Sequence, residues 1–84
     1  MIGGNAMEKL LEVLKLSKPE TDIEAFLSAD DLYGQGVIDS FDIIVILDEI
    51  NAAFSTEINT ADLRREDFMT VESVYMLIKR HGGV

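Results

Sequence analysis

The side chain best placed for chemistry is Ser40, in the run Gly36-Val37-Ile38-Asp39-Ser40-Phe41-Asp42. It stands between an acidic loop bent by Gly34 and Gly36 and a long apolar segment that reads as a helix. A hydroxyl in a first helical turn suits an attached phosphodiester, because the unpaired N–H groups and the dipole there favour an anion. It does not suit nucleophilic catalysis, which needs a base within hydrogen-bond reach and a group to orient that base. The one histidine, His81, is predicted at the C-terminal end of the last helix, where a cation complements the dipole. Paired-carboxylate hydrolysis needs a cleft that so small a bundle can hardly supply. The residue types point away from an enzyme.

Calcium is a second chemistry to weigh, since an acidic loop with glycine precedes a helix. A loop beginning at Asp31 puts Gly36 at its sixth position and Asp42 at its last. Tyr33 then falls where a third-position oxygen ligand is needed, and Asp42 replaces the longer bidentate glutamate. The oxygen set is too poor for a specific site.

The elements around Ser40 follow from pattern and caps. Asn5, with Glu8 three residues on, predicts a helix start, and Met7, Leu10, Leu11 and Leu14 share one face. Lys15 and Lys18 suit its end, before Pro19. A long connection from Pro19 to Asp39 follows, with Ile23, Phe26 and Leu27 forming a helical turn on the core and Leu32 as an anchor. The second helix spans Ser40 to Phe54, capped by Asp39, with Ile43, Ile46, Leu47, Ile50 and Phe54 as its core stripe. Phe41, Ile44 and Val45 fall off that stripe, so either the surroundings bury this helix widely or part of it is kept for a partner. A short helix is predicted over Ala61 to Glu66, with Leu63 and Phe68 turned inward. Thr70 caps the last helix, whose face is Val71, Val74, Tyr75 and Ile78, and Gly82-Gly83 end it. The fold class is all-α: a small antiparallel bundle of three main helices plus one short helix, with a long first loop.

Composition sets bounds on partners. Eighty-four residues, 48% of them apolar, make one domain, and the absence of cysteine excludes disulfide staples and thiolate metal sites. Residues 1–6 are read as a flexible tail ahead of a domain spanning 7–81, and 82–84 as a second tail. No apolar run reaches the roughly 18 residues of a membrane span, and the N-terminus lacks signal-peptide character. The expectation is a cytoplasmic monomer. Net charge is −9, and all seven basic residues lie outside Pro19–Leu63. Such a surface repels nucleic-acid backbones and draws basic patches on partner proteins.

Asp39-Ser40-Phe41-Asp42 resembles the Asp-Ser-Leu type motif of the acyl carrier and peptidyl carrier proteins, with Phe41 in place of the usual leucine. The resemblance runs from about Met7 to Arg80. It takes in Ala53-Phe54, Glu57-Ile58 and Asp67-Phe68-Met69-Thr70-Val71, which look like the family's loop and last-helix start. It implies a 4′-phosphopantetheine arm, derived from coenzyme A and attached covalently to Ser40 beside Asp39, that tethers cargo as a thioester. The implied partners are a phosphopantetheinyl transferase, an adenylating acyl or aminoacyl ligase and a downstream acyl-accepting enzyme. Phe41, Asp42, Ile44, Val45, Asp48 and Glu49 would meet those partners. Two residues, Val37 and Ile38, separate Gly36 from Asp39, where fatty-acid carriers usually have one. With Val45 and Asn51 on a helix that fatty-acid carriers make more acidic, this looks more like D-alanyl carriers and other stand-alone, ligase-loaded carriers. The alternative is an acidic helical interaction module without a prosthetic group.

Overall fold

Asn5 starts the chain's first helix through its side chain: in the computed structural model, which describes residues 5–84, Oδ1 accepts from the Glu8 N–H at 2.9 Å. The helix, α1, covers Ala6–Ser17 and buries Leu10, Val13 and Leu14, with Met7 and Leu11 half-buried beside them. Val13 was not in the predicted stripe; it widens the apolar face by the residue next to Leu14. Asn5 is the cap expected of it and Ala6 the first residue of α1, so the helix begins inside the tail drawn over residues 1–6; residues 1–4 lie outside the described residues.

In the long connection, the helical turn expected at Ile23, Phe26 and Leu27 is a six-residue helix, α2, over Ile23–Ser28. Phe26 is fully buried and Ile23 half-buried, whereas Leu27, expected inward, is exposed. Only one row of so short a helix can face the core, and Phe26 takes it.

Helix α3 runs from Ser40 to Phe54 and packs along α1. Ile46, Leu47, Ile50 and Phe54 are buried, as the stripe requires. It stops at Ser55, in the left-handed region at φ 56°. Asn51 then clamps the returning chain: Oδ1 accepts from Thr56 Oγ1 at 2.7 Å and from the Ile58 N–H at 2.9 Å, while Nδ2 donates to the Ile58 carbonyl at 2.9 Å.

The short helix predicted over Ala61–Glu66 is instead two 3₁₀ turns, Thr60–Asp62 and Arg65–Phe68. Each has as its third residue an aspartate that folds back on the residue before the turn. Asp62 accepts from the Asn59 N–H at 3.4 Å, and Asp67 accepts from the Arg64 N–H at 2.8 Å. Leu63 and Arg64 between them are extended, so no continuous helix can form. Phe68 is buried and Leu63 half-buried.

Helix α4, Val71–Arg80, is capped by Thr70, whose Oγ1 accepts from the Ser73 N–H at 3.0 Å. It buries Val71, Val74, Leu77 and Ile78. Gly82, at φ 79°, and Gly83 return N–H groups to Lys79 and Ile78, a Schellman closure that draws the expected C-terminal tail into the helix end. Buried Asp67 is paired with Arg80 at 3.1 Å, fixing the second 3₁₀ turn against α4. The result is a small helical bundle around one core. Among the described residues no helix is long and apolar enough to cross a membrane.

Candidate functional site at the start of α3

Two aspartates set the start of α3. The Asp39 carboxylate accepts from the Asp42 N–H at 2.8 Å, and Asp42 Oδ2 accepts from the Asp39 N–H at 2.9 Å, a reciprocal capping box. Ser40 is therefore the first residue of the helix, solvent-exposed, with its backbone fixed from both sides.

The loop before it is held as firmly as a helix. Leu32 is fully buried, its N–H donates to the Met69 carbonyl at 2.8 Å, and its carbonyl accepts from Val37 and Ile38. Asp31 accepts from the Gly34 N–H at 2.9 Å, and a side chain at Gly34 would collide with that carboxylate. Gly36 takes φ 77°, a left-handed turn natural to glycine. This tight loop carries Tyr33 back to Ser40, with the phenol and the serine Oγ 3.2 Å apart.

The other serines are occupied differently. Ser17 and Ser28 donate to carbonyls one turn back, at 2.8 Å each, Ser73 bonds Thr70, and Ser55 is the turn residue of α3. Ser40 opens onto a groove of about 510 Å³. Ile43 and Ile44 of α3 line it too, together with Leu63, Arg64, Arg65 and Phe68 from the 3₁₀ segment.

The six residues expected to meet partners do not share one environment. Ser40, Ile44 and Asp48 form one row along α3, and Phe41, Val45 and Glu49 the next. Phe41 is 72% and Ile44 53% exposed, Asp48 and Glu49 are exposed, and Val45 is half-buried. Asp42 is half-buried, and its charge is matched internally by the Lys18 ammonium at the end of α1. Lys18 and the Asp39 N–H hold the Asp42 carboxyl below its usual range, and the same pairing raises Lys18. His81 Nδ1 lies 3.0 Å from the Leu77 carbonyl, at the end of α4.

Sequence reasoning did not associate Tyr33, Leu63, Arg64 and Arg65 with Ser40. One signal was available: Arg64-Arg65 is the only basic pair between Lys18 and Lys79. No protein-family model, curated protein or solved structure matches the chain.

Proposed function

We propose that the chain is a carrier protein bearing a phosphopantetheine arm on Ser40. The observation that carries this reading is the exposed Ser40 hydroxyl at a capped helix N-terminus, beside an open groove with apolar walls. The residues fit the arm. A phosphodiester on Oγ would lie against the first-turn N–H groups of α3, and the groove offers room for what the arm holds. When bound, the arm supplies a thiol that this cysteine-free chain lacks and holds cargo as a thioester.

Ser40 Oγ attacks the phosphorus on the pantetheine side of the coenzyme A pyrophosphate. The new O–P bond forms as the P–O bond to adenosine bisphosphate breaks, that group leaving with the electron pair. The serine proton passes to a base of the transferase, since among the described residues the Tyr33 phenol is the one group hydrogen-bonded to Ser40 Oγ. Asp39 and Asp42 keep the helix start rigid, so that the hydroxyl is presented in one geometry. Phe41 and Ile44 offer the apolar contact to transferase, adenylating ligase and acyl-accepting enzyme, and Asp48 and Glu49 attract basic patches on them. Tethering raises the local concentration of cargo at each partner's active site.

Incubation with coenzyme A and a phosphopantetheinyl transferase tests this by intact mass. One phosphopantetheine is expected on the native chain and none on Ser40→Ala. An unchanged mass, with partners that bind Ser40→Ala as well as the native chain, would establish the interaction-module alternative.

A further inference from the structure

Around Ser40 three carboxylates are matched, while among the described residues Asp48, Glu49, Asp62 and Glu66 are in no ion pair. Asp42 pairs with Lys18, Asp31 with Arg65 at 3.3 Å, and the Asp39 carboxylate caps the positive end of α3. One cation is left over. Among the described residues the Arg64 guanidinium is in no ion pair, and Arg64 lines the same groove as Ser40. Arg65, beside it, is 73% exposed at its side chain and makes a single bond to Asp31, so most of its donors remain available. In a chain of net charge −9, the groove at the attachment serine is thus lined by two arginines together with Ile43, Ile44 and Leu63.

We propose that this groove takes back a carboxylate-terminated acyl cargo, its methylenes along Ile43, Ile44 and Leu63 and its carboxylate on Arg64 and Arg65. This rests on the carrier reading and narrows its cargo. A guanidinium fork matches a carboxylate in charge and in plane, and the apolar walls suit a short alkyl spacer. An aminoacyl thioester presents the opposite charge, because its carboxyl is consumed in the thioester and its ammonium remains. Such a cargo is repelled from the arginine wall and stays in solvent.

The test loads Ser40 with three arms of similar length, using a transferase and the butyryl, succinyl and β-alanyl thioesters of coenzyme A. Intact mass reports loading; the thermal midpoint and the side-chain NMR signals of Arg64 and Arg65 report docking. The succinyl form is expected to melt about 4 °C above the butyryl form, the response of a domain this size to a roughly fivefold preference for the docked state. The β-alanyl form should show no rise. Arg64→Gln with Arg65→Gln, both at exposed positions, should erase the difference between the succinyl and butyryl forms, since loss of the Arg65–Asp31 pair affects both alike. Equal midpoints for succinyl and butyryl, or an increment that survives the double variant, would overturn the cargo assignment alone. Arginine signals that move equally with the bare thiol arm would assign the contact to the phosphodiester and overturn it likewise. No mass gain with any thioester would overturn the carrier reading, and this inference with it.

Discussion

The Asp42 carboxylate accepts from the Lys18 ammonium and from the Asp39 N–H, and together they hold it below its ordinary 3.8. A carboxyl lowered on folding adds stability that is present above its unfolded value and is lost as pH falls through the folded one. Lys18 is raised by the same bond from 10.5, so its share is complete below that value and is lost as pH rises through the raised one. Between those limits the tie from α1 to α3 is constant. Asp42→Asn keeps an oxygen for the Asp39 N–H but removes the charge. It should be less stable than the native chain at neutral pH, with the gap closing as pH falls below the ordinary carboxylate range. Urea melts across that range measure it, and parallel curves would contradict the role assigned to the pair. The carrier resemblance implied a partner contact for Asp42; the lysine that claims it is 24 residues away and came into view only with the packing.

At the scale of elements, the helix caps carried most of the legible information. Asn5, Asp39 and Thr70 each accept the backbone bond expected of them, and they place α1, α3 and α4 to within a residue or two. Asp39→Ala removes the bond that starts α3 and should cost about 1 kcal/mol. A denaturant midpoint unchanged by it would mean that packing alone fixes the helix start. Short elements were less legible. Six residues of α2 carry too little periodicity to tell a helix from a turn, and the 3₁₀ segment depends on Asp62 and Asp67 folding back. Asn51, conspicuous in sequence only as a missing acid, proves to be the clamp that returns the chain after α3.

Over the whole molecule, the candidate site is a product of topology. The Ser40 motif was legible, because its chemistry sits in consecutive residues. The groove was not, since Tyr33, Leu63, Arg64 and Arg65 reach Ser40 from separate segments. The acidic surface has a use in the carrier reading: exposed Asp48 and Glu49 lie two turns beyond Ser40 and Phe41 on the same rows of α3. Reversing both to lysine should slow loading by a partner ligase and flatten its salt dependence, as stopped-flow rates at low and moderate salt would show. Rates that keep their salt slope would remove these residues from steering. The central claim concerns one hydroxyl among five serines. Its most direct test is fragmentation mapping of the chain after treatment with transferase and coenzyme A. The account predicts a single phosphopantetheine on the fragment containing Asp39-Ser40-Phe41; an unmodified chain, or the group on Ser17, Ser28, Ser55 or Ser73, would contradict it.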